Sequence, residues 1–236
     1  MVAIEIPKIV EALRRKGFGT LCFYGPPGTG KTALAEHIAA ELRRPLMIRQ
    51  ASDLVSKFVG ETEQNMAKMF EEAEAEQAVL LLDEADSFLR SRRMAERNYE
   101  VSEVNEMLQG MERFAGVFIC TTNLFEDLDE AALRRFTFKI RFHALRPEQR
   151  LRMFVAEALG GDDGRLTAEH RSRLNSLDLL VPGDFAAVRR QVEILGVPFE
   201  PDEFLSQLES EHRVKPEVRQ RRGVGFLAAP SGTGVK

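Results

Sequence analysis

Several features are scarce in this chain, and each shortage closes off a class of function. Only two of the 236 residues are cysteine, with neither a disulfide framework nor metal-ligand spacing. Cys22 and Cys120 each sit in an apolar, strand-like run and read as small buried thiols in a reducing compartment. A basic excess is missing too: 33 Lys and Arg against 37 Asp and Glu leave a net charge of −4, unlike a typical nucleic-acid binder. No apolar run approaches the length of a membrane span, and Met1 to Pro7 lacks the basic and apolar segments of a signal peptide. Internal repeats and low-complexity segments are absent as well. These shortages lead us to expect a soluble, cytoplasmic protein, long enough for one large domain or two small ones.

What the chain does have is alternation. Short apolar runs at 21–24, 46–48, 79–82 and 117–120 and an alternating segment at 137–142 read as strands, and 7–16, 33–42, 61–76 and 101–111 read as helices. Within 61–76, Met66, Met69, Phe70 and Ala73 recur at the helical period with acids opposite, a stripe that serves core packing. The unbroken apolar run 79–82 suits a strand buried on both faces. Strands alternating with helices predict an α/β fold with a doubly wound, five-stranded parallel sheet. After Phe142 only helices are predicted, at 147–159, 167–174, 185–195 and 202–212. The expected organisation is therefore an α/β nucleotide-binding domain over 1–143, a small helical domain over 144–212 and a basic, flexible tail over 213–236.

One stretch organises the first domain. Gly25-Pro26-Pro27-Gly28-Thr29-Gly30-Lys31-Thr32 fits G-x-x-x-x-G-K-[ST], between a strand and a helix that opens at Ala33. Glycines let successive N–H groups turn inward onto phosphate oxygens, and a helix N-terminus adds to the anion site. Lys31 brings a point charge to the outer phosphates of ATP, and the Thr32 hydroxyl is a ligand for Mg²⁺. The fold expected is that of a P-loop NTPase. A second signal ends the buried strand at Asp83-Glu84, which places two carboxylates at the rim of the sheet. Asp83 is the candidate holder of Mg²⁺ and Glu84 the candidate base that orients water, which makes the chain a hydrolase. Asp83-Glu84-Ala85-Asp86 also spells the DEAD box of RNA helicases, but nothing after residue 143 supplies their second RecA-like domain.

Together with what lies between and after them, these motifs resemble the AAA+ ATPases, specifically the AAA branch, over about residues 5 to 212. Thr121-Thr122-Asn123 ends the fourth strand, where that family places its sensor-1 residue, so the resemblance assigns Asn123 to the γ-phosphate or the attacking water. Leu128 to Phe136 looks like the arginine-finger segment, with Arg134 and Arg135 as the candidates for stabilising the transferring phosphoryl group. In place of the Gly-Arg-Phe-Asp that often follows stands Thr137-Phe138-Lys139, and the Leu-Arg-Arg-Phe form is similar to that of spastin-like members. In the family such arginines reach a neighbouring subunit, which implies a homo-oligomeric ring, usually of six. Ser56 to Glu61 looks like the pore loop, with Lys57, Phe58 and Val59 against substrate and Gly60 giving the loop freedom. Arg90, Arg92, Arg93 and Arg97 would fall near a second channel loop. Pro182-Gly183-Asp184-Phe185 resembles the Gly-x-Asp segment beside the adenine, although Asp184 fits equally well as a helix N-cap. Ala186 stands where other AAA+ branches carry a sensor-2 arginine.

The reading that follows is an ATP-driven ring that hydrolyses ATP and threads or remodels a protein substrate. A DNA-acting AAA+ loader and a regulatory switch that binds a partner protein are the alternatives. Net charge and the Phe58 loop disfavour the loader. Gly25 lies so near the start of the chain that substrate choice is expected from an adaptor or from an N-terminal domain not in this sequence.

Overall fold

All five expected strands form in a single sheet, and every pairing in it is parallel. The computed structural model describes residues 5–58, 60–89 and 98–223, apart from the side chains of 87, 98–100 and 220–223. The first elements are α1 (Ile6–Lys16), β1 (Gly19–Tyr24), α2 (Lys31–Leu42), β2 (Leu46–Gln50), α3 (Ala51–Leu54) and α4 (Glu61–Ala75). They are followed by β3 (Val79–Asp83), α5 (Asp86–Leu89), α6 (Asn98–Arg113), β4 (Val117–Thr122), α7 (Glu130–Arg135) and β5 (Phe138–Arg141). The strand order is β2-β3-β4-β1-β5, which places β4 between the strand that ends in the acids and the strand that feeds the phosphate loop.

Alternation along the central strands divides the core into two layers. Leu80, Leu82, Phe118 and Cys120 point to one face, against Met66, Met69 and Phe70 of α4 and Met107, Leu108 and Met111 of α6. Val79, Leu81, Val117 and Ile119 point to the other, against Ile9, Val10 and Leu13 of α1 and Ala35, Ile38 and Ala39 of α2. The run 79–82 is thus buried on both faces, and the methionine stripe of α4 is core, as its period predicts. Phe70 stacks obliquely on Phe114 and Phe118 with ring centroids 5.5 and 5.6 Å apart. The four-residue helices α3 and α5 were not expected, because a single turn shows no period in sequence.

The chain divides after His143 into two compact units. The second contains α8 (Pro147–Ala158), α9 (Ala168–Ser176), α10 (Pro182–Leu195), α11 (Pro201–Val214) and α12 (Pro216–Gly223). Its core gathers Phe154, Leu174, Phe185, Phe204, Leu205 and Leu208. The flexible tail expected from Arg213 onward needs correction over its first part. Arg213 and Val214 complete α11, and Val218 of α12 is buried. Lys215, between the two helices, donates to the Leu179 carbonyl and to Asp184, both at 2.7 Å. A lone valine among charges carries too little hydrophobic signal to announce that helix.

β1 and β4 are in register so that Cys22 faces Cys120, both free and fully buried. Burial, and secondarily the neighbouring Cys22, pushes the Cys120 thiol well above its ordinary pKa, so the reactive thiolate is scarce at neutral pH. We expect neither cysteine to react with a thiol reagent within minutes in the native protein, and both to react in denaturant. Rapid native labelling of either would contradict this packing.

Candidate active site

The phosphate loop is shaped by close approach as much as by flexibility. Gly25 follows β1 with φ of +137°, and a Cβ there would lie 2.3 Å from the Phe142 carbonyl oxygen. No other residue fits without moving β5's exit. The loop then turns through Gly28 and Gly30 at φ of +72° and +91°, and Thr29 staples it by donating to the Pro26 carbonyl at 2.8 Å. Gly30 caps α2, whose first turn has no acidic residue. The N–H groups of Lys31, Thr32 and Ala33 lie where a helix leaves its donors without carbonyl partners, at the positive end of its dipole. Open space lies in front of Gly30. This is a cradle built for an anion.

Lys31 is buried, and its three donors are all used: Nζ reaches Gly25 O at 2.8 Å, Pro26 O at 3.0 Å and Asn123 Oδ1 at 2.8 Å. Burial lowers its pKa, while Asp83, Asp86 and Glu84 pull the other way without cancelling that effect. The acids come from the end of β3. After Asp83 the backbone turns sharply, and Glu84 takes φ of +55°, a left-handed conformation that costs a non-glycine residue about 1–3 kcal/mol. Thr121 supports that turn. Its Oγ1 accepts the Glu84 N–H at 3.0 Å and donates to the Asp83 carboxylate, while its carbonyl accepts from Ala85 N at 2.9 Å. Thr122 donates to Asp86 and accepts from Leu124 N at 2.9 Å. Both threonines are buried, whereas the Glu84 and Asn123 side chains are exposed. Lys31, Asp83, Glu84 and Asn123 therefore meet at one rim. The Thr32 hydroxyl, for which no hydrogen bond occurs among the described residues, and the Asp83 carboxylate are hard oxygen donors of the kind that fit Mg²⁺.

Other predicted residues sit on separate elements. The two arginines lie at the end of α7, a helix capped by Asp129, whose Oδ1 accepts Ala131 N at 2.9 Å. The Arg135 side chain is 28% exposed, pairs with Glu112 at 2.6 Å and donates to the Ala131 carbonyl. Arg134 is 82% exposed and comes no nearer than 4.0 Å to Glu130. Phe58 is 71% exposed, beside an exposed Lys57, on the loop between α3 and α4. That loop is braced: Ser56 Oγ donates to Glu61 at 2.6 Å and accepts Phe58 N at 3.2 Å, and Ser56 N donates to Thr62 at 3.0 Å. Gly60 has φ of +86° as the N-cap of α4, so its role is a defined left-handed turn and not the looseness expected of it. Val59, Arg90, Arg92, Arg93 and Arg97 lie outside the described residues. In the second unit, Gly183 and Asp184 stand in the first turn of α10. Asp184 is at N3, not at the N-cap, and its carboxylate accepts from Val181 N and from Lys215, both at 2.7 Å.

Residues 21–144, just over half of the chain, match the family described as ATPase family associated with various cellular activities (AAA). The chain belongs to that family. It is 37% identical over 169 residues to the ATPase family AAA domain-containing protein FIGL1 of Arabidopsis thaliana, covering 68% of this chain and 24% of the relative. To spastin of Drosophila melanogaster it is 33% identical over 176 residues, 71% of this chain and 23% of the relative. An AAA family ATPase of Sinorhizobium fredii, y4kL, is 40% identical over 131 residues, 54% of this chain and 39% of the relative. The chain thus spans about a quarter of the length of the first two.

Within this AAA domain, sequence reasoning singled out Asn123 and missed what its two neighbours do. Three polar residues in a row at the end of an apolar strand were the available signal, since polar side chains at a buried tip need partners. The two arginines also separate by structure. Arg135→Ala should lower the melting temperature by about 2–4 °C, the equivalent of roughly 1 kcal/mol in a chain of this size. Arg134→Ala should leave it unchanged. Thermal unfolding of both variants checks this, and equal shifts would contradict the distinct settings of the two side chains.

Proposed function

We propose that this chain is an ATPase subunit of an AAA ring that uses hydrolysis to pull on a polypeptide. The observation that carries the ATPase reading is the meeting of Lys31, Asp83, Glu84 and Asn123 at one rim, beside a helix N-terminus with no acid of its own. Loop N–H groups and Lys31 hold the phosphates of ATP. To do so, Lys31 exchanges its three present partners, the two loop carbonyls and Asn123 Oδ1, for phosphate oxygens, which frees the Asn123 amide to face the γ-phosphate or the water. Thr32 and Asp83 would hold Mg²⁺, which would supply neutralisation of the phosphate charge. Glu84, with its carboxylate in solvent, orients the attacking water and takes its proton.

The ring and the protein substrate are read from the family likeness and from two exposed side chains. Arg134, whose ion pair among the described residues is with Glu130 at 4.0 Å, is the better candidate for reaching a neighbour's phosphates. Phe58, held outward with Lys57 and followed by Val59, is the candidate grip on an extended polypeptide. Gly183 and Asp184 remain candidates at the base through their Gly-x-Asp resemblance alone.

Lys31→Ala should abolish ATP binding, whereas Glu84→Gln should keep binding and lower kcat by about 10²–10⁴-fold, the usual share of a general base. Equal loss of binding in both variants would overturn these roles. Phe58→Ala should keep the melting temperature and basal ATPase rate while losing stimulation by a permanently unfolded polypeptide. Were Phe58 a core residue, its truncation would cost roughly 3–5 kcal/mol. A large fall in melting temperature, or undiminished stimulation, would defeat the pulling reading.

A further inference from the structure

We propose that Thr121 is the positioning residue of the hydrolytic acids, one buried hydroxyl that sets both the Asp83 carboxylate and the Glu84 backbone. The proposal rests on the hydrolysis reading above. The β3–β4 ladder runs in register from Val79↔Val117 to Leu82↔Cys120 and then stops. The next pair would be Asp83 with Thr121, but the chain has begun to turn away, with Glu84 at φ of +55°. From that point the Thr121 side chain takes over from the ladder. It donates to Asp83 and accepts from Glu84 N, and its own carbonyl accepts from Ala85 N. The last residue of β3 and the two that follow it are thus tied to one residue of the neighbouring strand.

The direction of the hydroxyl is settled by valence. A threonine has one proton to give, and a backbone N–H cannot accept it, so the proton is committed to Asp83 and a lone pair to Glu84 N. Fixing one oxygen of Asp83 leaves the carboxylate's remaining lone pairs in a set direction. Fixing the Glu84 N–H holds a left-handed residue that strand geometry alone would not keep, and with it the exit vector of the Glu84 side chain. Thr121 is only 1% exposed, so no water stands ready to replace the hydroxyl. A buried threonine that was merely satisfied would need only one partner. This one bridges the two residues whose orientation hydrolysis depends on, and its neighbour Thr122 serves Asp86 separately.

The test compares Thr121→Val, which keeps shape and removes the hydroxyl, with Thr121→Ser, which keeps the hydroxyl. Thr121→Val should lower kcat by about 10- to 100-fold, the usual loss for a residue that orients a metal or catalytic ligand. Thr121→Ser should restore most of the rate. Binding of a fluorescent ATP analogue, measured without turnover in a Glu84→Gln background, should be unchanged by Thr121→Val when Mg²⁺ is absent. With Mg²⁺ it should weaken by about tenfold, because Asp83 is no longer aimed. Should the valine variant fail to fold, Thr121→Ala is judged by the same measurements against Thr121→Ser. Wild-type kcat in the hydroxyl-less variant would overturn the assignment, as would a serine variant as slow as the valine one, or equal weakening with and without Mg²⁺. If instead the wild-type protein itself neither binds nor hydrolyses ATP, the hydrolysis reading falls, and the positioning role with it.

Discussion

A buried ammonium group in this protein has three oxygens around it and three carboxylates close by, and most of the site follows from that arrangement. Lys31 has to be near the rim to meet phosphates, yet a desolvated cation is costly without partners. Gly25, Pro26 and Asn123 supply them. Two of these belong to the loop that Lys31 itself terminates and the third to a different strand, so the ammonium ties β1's exit to β4's tip. The acids that raise its pKa against burial stand at the end of β3 and just beyond. A phosphate arriving at this point meets a cation that can trade neutral carbonyl partners for charged ones, a stronger class of hydrogen bond.

Strand order explains why one tripeptide can serve so many partners. β4 lies between β3 and β1 in the sheet, so its C-terminal end is flanked by both motifs. Thr121 and Thr122 each donate to a carboxylate on the β3 side, and Asn123 accepts from Lys31 on the β1 side. In a parallel sheet, strand ends of one kind share an edge, so chemistry gathers where strand order brings different loops together. The polar tip of β4 is buried at Thr121 and Thr122 and emerges at Asn123.

The parts legible in sequence are those with either a period or a close-spaced pattern. The burial of Val79 to Leu82 on both faces, the Met66-Met69-Phe70 stripe, the five parallel strands and the burial of Cys22 and Cys120 all follow from local patterning. What was hidden is what arises between elements. No pattern announces that Thr121 bonds to Asp83, that Glu84 is left-handed, or that Arg135 pairs with Glu112, because each depends on residues far away in the chain. Helix α12 was hidden for a different reason: one valine and a Lys215 anchored to Asp184 hold a segment whose composition reads as solvated.

Phe58 and Arg134 are the two side chains whose placement does least for the isolated chain. Leaving a phenylalanine in water forgoes about 1.5–3 kcal/mol of burial, and a floppy loop would recover part of that by folding back. This loop is not floppy: Ser56, Glu61 and Thr62 brace it, and the Phe58 backbone is bonded on both sides, through its N–H to Ser56 and its carbonyl to Glu61. The ring is therefore held outward by structure. Arg134 makes a parallel case, since its neighbour Arg135, one position along, finds an acidic partner in Glu112 of α6 and a carbonyl in α7 itself. A phenylalanine held outward by a braced loop and an arginine 82% exposed, with only a 4.0 Å pair to Glu130, are side chains open to partners outside the chain, which is why the proposed ring and its polypeptide substrate rest on these two positions and not on the nucleotide site.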